Sequence, residues 1–262
     1  MRTTAMNLKN AWLRKLLAIF AMTSLSAPPV SLAADKQNNT AAAPSDKSAV
    51  EPGKIVEIDD PQTGKWKYWV PKDYTPDRSW PIIYCYHGMG QTAVVWPFRN
   101  LTDRVGFILV GMEYVKPVGT ARQRTEDELA NLKRIHNLLA KRLQINDRRQ
   151  LIGGFSMGGW WTSLIAEKEP TLFAGVVILG SGRAGSRNPP RMTGLPVFIG
   201  IGENDPSRQA AEVAAKSYRS QGAAVTLEIF KGRDHSVDTD NAVLKTWLDN
   251  HGLDPGNPRA RK

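Results

Sequence analysis

Cysteine is nearly absent from this chain, which has one among 262 residues. A single cysteine cannot close a disulfide within the chain, so stability must come from the core. Cys85 lies inside the apolar run Ile82–Tyr86, which indicates a small buried side chain rather than a nucleophile or ligand. The sequence has no Cys/His cluster with zinc spacing and no glycine-rich loop followed by Lys and Ser or Thr. We therefore expect neither a metal nor an organic cofactor.

Long hydrophobic runs are missing as well. The apolar residues 16–22 follow a positively charged start without acidic residues, and they are too few to cross a bilayer. Ser31-Leu32-Ala33 then offers small residues at the two positions that a signal peptidase reads. We interpret residues 1–33 as a secretory signal peptide, with an uncleaved anchor as the alternative. The expected location is periplasmic or secreted, with no stable membrane span after signal removal.

Acidic residues are outnumbered, with 25 Asp and Glu against 35 Lys and Arg, so the net charge is +10. Removal of the predicted signal peptide takes away four positive charges and leaves +6. A basic exported protein can adhere to anionic envelope surfaces or to acidic polysaccharide. The chain has no long basic run and no basic-aromatic motif, so we do not expect a nucleic-acid partner.

Composition divides the chain into four segments. After the signal peptide, residues 34–52 are rich in Ala, Asn, Ser, Lys and Pro, which predicts a flexible linker. Residues 53–254 are long enough for one domain with a full core. Residues 255–262 form a basic tail, and no internal repeat is evident. These features leave the oligomeric state open.

Strand-length apolar runs alternate with helical patterns in the predicted domain. Residues 66–70 alternate and are rich in aromatics, as in an antiparallel strand near a sheet edge. Further strands are predicted at residues 82–86, 107–111, 151–153, 175–179, 197–201 and 225–230. Helices are predicted from a capping box at Thr125–Glu128 to Leu143, at 160–166, at 207–221 and at 242–248. The alternation predicts an α/β fold, a mostly parallel sheet with helices on both faces.

The stretch Gly154-Phe155-Ser156-Met157-Gly158 lies between a predicted strand and a predicted helix. Flanking glycines suit a strained turn in which the helix packs close to the strand. Such a turn lifts the serine hydroxyl into a cleft, which makes Ser156 a candidate nucleophile. A glycine-rich connection with an incidental serine is the alternative.

Other reactive side chains follow later strands, where parallel sheets gather functional groups. Asp205 is a candidate carboxylate, although it could instead cap the next helix, and Glu203 is its rival. His235 lies in a glycine-containing loop after the last strand and is the candidate base. His136 and His251 fall in or near predicted helices. The order Ser156, Asp205, His235 is that of one hydrolase architecture.

The segment His87-Gly88-Met89-Gly90 follows another predicted strand. Glycines allow backbone amides to approach a ligand closely. The amides of Met89 and Met157 are therefore candidates to hold a negative oxygen, with Gly88 as the next choice. A simple glycine turn is the alternative.

These motifs resemble those of the α/β-hydrolase superfamily. His87–Gly90 and Gly154–Gly159 are similar to small esterases of the carboxylesterase, phospholipase, feruloyl esterase or polyhydroxyalkanoate depolymerase type. The resemblance covers about residues 64–250 and implies an eight-stranded, mostly parallel sheet, a nucleophile elbow and a Ser-His-Asp triad. The chain departs from many relatives in the short connection of residues 180–196, so no large lid is expected.

The resemblance implies a serine esterase acting on a small-molecule or polysaccharide-linked ester. A peptidase of the same fold and a catalytically silent binding protein are the alternatives. Trp96, Tyr114 and Trp160 are candidate substrate contacts, together with Trp161, although the adjacent tryptophans could simply pack against the sheet. Four arginines in predicted loops could meet carboxylated substrates, with solvated charges as the default: Arg122, Arg124, Arg183 and Arg187.

Overall fold

Eight strands form one sheet in the part of the chain that the computed structural model describes, residues 50–115, 119–183 and 191–253. The strands are β1 (Ile55–Asp60), β2 (Gly64–Trp69), β3 (Trp80–Tyr86), β4 (Ile108–Met112), β5 (Ile145–Phe155), β6 (Gly175–Leu179), β7 (Pro196–Gly202) and β8 (Ala224–Phe230). The α-helices are α1 (Phe98–Leu101), α2 (Ala121–Ala140), α3 (Met157–Lys168), α4 (Arg208–Ser220) and α5 (Ala242–Gly252). The signal peptide, residues 34–49 of the linker, the basic tail and Arg187 lie outside the described residues.

The strand order is β1-β2-β4-β3-β5-β6-β7-β8. The pairs β1–β2 and β2–β4 are antiparallel, and all later pairs are parallel. Every residue of β3, β4 and β6 is buried, because these central strands are covered on both faces. The carboxyl ends of β3 to β8 therefore meet at one edge of the sheet.

Two apolar layers cover the sheet. One contains the buried faces of α2, α3 and α4, with Leu132 and Ala214 among its members. The other contains residues of α1 and α5, including Phe98 and Trp247. The predicted α/β fold with helices on both faces is thus confirmed.

The connection from β6 to β7 covers only residues 180–195, and no large lid is present in its described part. Among the described helices, none combines the length and apolar character that crossing a bilayer requires. The described residues all fall within one compact unit, residues 47–262.

Three departures from the sequence-based predictions are larger than a shift of one or two residues at a strand end. The strand β1 was not predicted, because Ile55–Asp60 is an edge strand whose residues alternate between exposed and half-buried positions. The strand β5 begins at Ile145 rather than at residue 151. The predicted capping box at Thr125 is wrong: α2 begins at Ala121, and the Thr120 side chain accepts the Gln123 amide at 3.2 Å.

Candidate active site

Ser156 occupies the sharp turn between β5 and α3. Its backbone has φ 57° and ψ −118°, which side-chain-bearing residues rarely adopt. A Cβ atom on Gly154 would lie 2.4 Å from the Gly158 carbonyl carbon, and one on Gly158 would lie 2.1 Å from the Tyr86 carbonyl oxygen. Both positions require glycine because the start of α3 lies against the backbone of β5 and of the end of β3, as the sequence motif predicts.

The Ser156 hydroxyl contacts an imidazole, which in turn contacts a carboxylate. His235 Nε2 lies 2.9 Å from Ser156 Oγ, and His235 Nδ1 lies 2.7 Å from Asp205 Oδ2. A carboxylate only accepts, so Nδ1 carries hydrogen and Nε2 is left to accept the serine hydroxyl hydrogen. The Asp205 side chain is fully buried, whereas that of His235 is 30% exposed. The series thus runs from the protein interior to the solvent-accessible serine.

Asp205 faces His235 and does not cap the next helix, because no side-chain hydrogen bond caps α4. Its Oδ1 accepts the Ser207 amide at 2.7 Å just before α4, while Oδ2 faces His235. The hydrogen bond from the Ser207 amide fixes the carboxylate plane, so Oδ2 is held in place against the imidazole. The two contacts use different oxygen atoms and do not compete.

The loops after β7 and β8 are joined directly. The Asn204 amide donates to the Arg233 carbonyl at 2.8 Å. A Cβ atom on Gly202 would lie 2.0 Å from the Asp234 carbonyl oxygen, so this glycine permits the close approach. The rival carboxylate Glu203 accepts the Gly232 amide at 2.8 Å and thereby holds the turn that precedes His235.

The turn after β3 lies against the serine. A Cβ atom on Gly88 would be 3.7 Å from Ser156 Cβ. The Gly88 amide donates to the Gln91 side chain at 3.1 Å, so it is already engaged. In the described residues no hydrogen bond uses the Met89 amide. Met157 is the first residue of α3, where helical amides lack internal partners and the helix dipole favours negative charge.

A second imidazole–carboxylate pair supports this turn. His87 Nε2 lies 2.9 Å from Glu113 Oε1, and His87 Nδ1 lies 2.7 Å from the Gly88 carbonyl oxygen. The Tyr114 hydroxyl donates to the His87 carbonyl oxygen, and the ring packs edge-on against His87. Burial and the carboxylates Glu128 and Glu113 raise the pKa of Tyr114. Sequence reasoning missed Glu113, although it directly follows β4 at the same edge of the sheet.

Aromatic rings surround the candidate base and the start of α3. The Phe155 ring lies 4.9 Å from the His235 ring, and Trp96 meets Phe155 edge-to-face at 5.6 Å. Trp96 is 38% exposed. Trp160 and Trp161 are half-buried and contact each other at 5.4 Å, and Trp161 also packs near Tyr114.

The arginines differ in their surroundings. Arg183 forms a largely buried ion pair with Glu167, so its guanidinium is committed to the protein. Arg122 pairs with Glu126 on the exposed side of α2. Arg124 lies 6.0 Å from the Trp161 ring.

Glu128 is a buried carboxyl near the same edge. It accepts the Val115 amide at 2.8 Å, and the Tyr86 hydroxyl lies 3.4 Å from its other oxygen. Burial raises the pKa of Glu128 to about 8. Across the described ranges, no group of three or more His, Cys, Asp and Glu side chains has an arrangement that could hold a metal ion.

Fold and site geometry together define an α/β-hydrolase with a serine in a strand-to-helix turn. Residues 114–246 match the dienelactone hydrolase family, which is more than half of the chain. The chain therefore belongs to the dienelactone hydrolase family. The match includes Ser156, Asp205 and His235 but not the His87–Met89 turn. This membership supports the prediction of a carboxylic ester hydrolase.

Solved structures share the fold. A thermostable esterase is 23% identical with a TM-score of 0.52, covering 77% of this chain and 57% of its own. A feruloyl esterase module from Clostridium thermocellum complexed with sinapinate is 15% identical with a TM-score of 0.58, covering 83% of this chain and 94% of its own. A ferulic acid esterase from Anaeromyces mucronatus is 15% identical with a TM-score of 0.53, covering 77% and 90%. No curated protein matches the chain.

Proposed function

We propose that the chain is an exported serine hydrolase that cleaves carboxylic esters through an acyl-enzyme on Ser156. The observation that carries the proposal is the continuous hydrogen-bonded series from Asp205 through His235 to Ser156. Each member follows a different strand end, and the serine lies in a strained turn. A packing role alone gives no reason for this convergence.

In the first half of the reaction, Ser156 Oγ attacks the ester carbonyl carbon while His235 Nε2 takes the hydroxyl proton. Asp205 holds the imidazole in the required tautomer and stabilises the imidazolium. The carbonyl oxygen becomes negative and accepts hydrogen bonds from the Met89 and Met157 amides. The carbon–oxygen bond to the alcohol then breaks, and His235 returns the proton to the departing alcohol.

In the second half, water attacks the acyl carbon and His235 takes a proton from it. The bond to Ser156 Oγ breaks, the serine regains the proton and the acid leaves. No step requires a metal or an organic cofactor.

Aromatic acyl groups suit the surroundings of His235. The partly exposed Trp96 and the adjacent Phe155 provide apolar faces beside the imidazole. Two of the structural neighbours are named as feruloyl or ferulic acid esterases. We include in the proposal a small-molecule or polysaccharide-linked aromatic ester as substrate. A panel of acetyl, butyryl, feruloyl and hydroxybutyryl esters, compared by kcat/KM, ranks these acyl groups.

Export rests on the N-terminal pattern of residues 1–33. N-terminal sequencing of the protein recovered from the periplasm and medium tests it, with a new terminus at Ala34 as the expected result. The intact N-terminus in the cell fraction would contradict it.

Replacement of the serine tests the activity. The Ser156→Ala variant should lose hydrolysis of a chromogenic short-chain ester by several orders of magnitude and should not label with a fluorophosphonate. Ser220→Ala, on the exposed end of α4, is the matched control and should remain active and label. Wild-type activity in Ser156→Ala would refute the mechanism. Faster cleavage of an aminoacyl amide than of the ester would favour a peptidase. Absence of fluorophosphonate labelling in the wild type would favour a catalytically silent binding protein.

A further inference from the structure

The two ends of one peptide group connect the second imidazole to the proposed oxyanion site. The Gly88–Met89 peptide has the Gly88 carbonyl at one end and the Met89 N–H at the other. Among the described residues only Trp96–Pro97 is cis, so this peptide is trans. In a planar trans peptide the C=O and N–H point in opposite directions. Whatever fixes the Gly88 carbonyl therefore fixes the direction of the Met89 N–H.

Two donors hold that carbonyl. His87 Nδ1 lies 2.7 Å from the Gly88 oxygen, and the Gln91 amide donates to it at 3.3 Å. The Gln91 side chain in turn accepts the Gly88 amide. The imidazole contact is the shorter of the two and comes from a side chain that is itself fixed.

We propose that His87 and Glu113 are positioning residues that orient the Met89 amide toward the oxyanion. This inference rests on the proposed function and adds two residues to that site. Neither side chain touches the reacting atoms. They act through the Gly88–Met89 peptide, so their contribution appears only when the ester oxygen becomes negative.

Glu113 keeps the imidazole from turning. Its Oε1 faces His87 Nε2 at 2.9 Å, and its Oε2 accepts the Ala93 amide at 2.9 Å. His87 is 3% exposed, so water does not compete for its ring nitrogens. The Tyr114 hydroxyl fixes the His87 carbonyl. The ring is therefore held at both nitrogens and through its own backbone.

Both ring nitrogens of His87 face acceptors, so substitutions that keep a donor at only one of the two positions can test each contact separately. An asparagine amide nitrogen stands at about the position of Nδ1, and a glutamine amide nitrogen at about that of Nε2. His87→Asn therefore retains the donor to Gly88, whereas His87→Gln retains only the donor to Glu113. Likewise Glu113→Gln can donate to a neutral imidazole whose hydrogen is on Nδ1, whereas Glu113→Ala releases the ring.

The disruptive variants, His87→Gln and Glu113→Ala, should lower kcat by about ten- to a hundredfold with KM changed less than about threefold. The conservative variants, His87→Asn and Glu113→Gln, should retain at least about a third of kcat. A trifluoromethyl ketone forms a negative tetrahedral adduct with the serine, so its inhibition constant should rise in parallel with the loss of kcat/KM. Thermal unfolding by circular dichroism accompanies each variant.

Equal losses in the disruptive and conservative variants would overturn the inference, as would a loss of kcat without a change in the inhibition constant. If a His87 variant does not fold, the Glu113 pair gives the same comparison. Wild-type activity in Ser156→Ala would refute the proposed function itself. A serine-dependent enzyme with full activity in His87→Gln and Glu113→Ala would refute only the positioning role.

Discussion

Two imidazole–carboxylate pairs lie at the same edge of the sheet and differ in what the second ring nitrogen meets. In His235 that nitrogen faces the Ser156 hydroxyl, which can give up its hydrogen. In His87 the two nitrogens face a carbonyl oxygen and a carboxylate, neither of which has a hydrogen to give. The first arrangement can take a proton from the serine, whereas the second has no neighbouring hydrogen to take up. An acid beside a histidine is therefore insufficient to define a catalytic base.

Burial reinforces this difference. The Asp205 carboxylate is fully buried behind a partly exposed imidazole, whereas Glu113 is 30% exposed behind a buried imidazole. The accessible member is the imidazole in one pair and the acid in the other. Only the first pair presents its ring to a substrate.

Among changes that separate the two pairs, Asp205→Asn should have the largest effect. The Ser207 amide requires an acceptor at Oδ1, so the new NH₂ group is forced into the position of Oδ2, facing His235 Nδ1. The imidazole must then carry its hydrogen on Nε2 and cannot accept the serine proton. We expect kcat to fall on the order of 10³- to 10⁴-fold at neutral pH. Steady-state kinetics with a short-chain ester measure it, and a loss no greater than that in Glu113→Gln would erase the distinction between the pairs.

The glycines of the two turns provide the next contrast. A methyl group on Gly158 meets the Tyr86 backbone, which cannot move away, so Gly158→Ala should destabilise the fold by about 3 kcal/mol or more. A methyl group on Gly88 meets at closest the flexible end of Gln91, at 3.3 Å. Gly88→Ala should therefore cost about 1 kcal/mol or less. Urea unfolding followed by circular dichroism compares the stabilities of the two variants. Equal losses of stability would show that backbone contact at Gly158 is not what requires a glycine in the Ser156 turn.

Glu128 extends the comparison between the carboxylates of the two pairs, because it is a buried carboxyl without an imidazole partner. Its pKa is about 8 in the folded protein against 4.5 ordinarily. Below about pH 4.5 both states are protonated; between about 4.5 and 8 the folded state keeps a proton that the unfolded chain has lost. The free energy of unfolding should therefore fall as the pH rises through this window.

The Glu128→Gln variant should remove that slope and be more stable than the wild type at pH 9 by up to about 5 kcal/mol. Denaturant titrations at several pH values give the measurement. Glu126→Gln, on the exposed face of the same helix, is the matched control and should leave the slope in place. An unchanged slope in Glu128→Gln would assign the pH dependence to other groups.

Strand alternation, the elbow glycines and the order of strand-end residues were enough to predict the sheet and to nominate Ser156, Asp205 and His235, which the structure brings together. These features leave strong local marks, because buried strands are continuously apolar and close backbone approaches require glycine. The edge strand β1 leaves a weaker mark, since one of its faces remains solvated. Glu113 follows a strand end and could have been nominated in the same way, but its pairing with His87 and the buried role of Glu128 depend on contacts between distant elements. The capping box failed because the helix begins one turn earlier, capped by Thr120, which leaves Glu128 to turn inward to the Val115 amide.

The single thiol of the chain has a practical consequence. Cys85, the second-to-last residue of β3, has no exposed surface; it pairs with Gly111 and Gly153 on the neighbouring strands, and burial raises the pKa of its thiol. A maleimide or disulfide reagent therefore has nothing to modify while the middle of the sheet is closed. The rate at which such a reagent modifies Cys85 in the unaltered protein therefore measures how often the interior of the sheet opens. No probe has to be introduced.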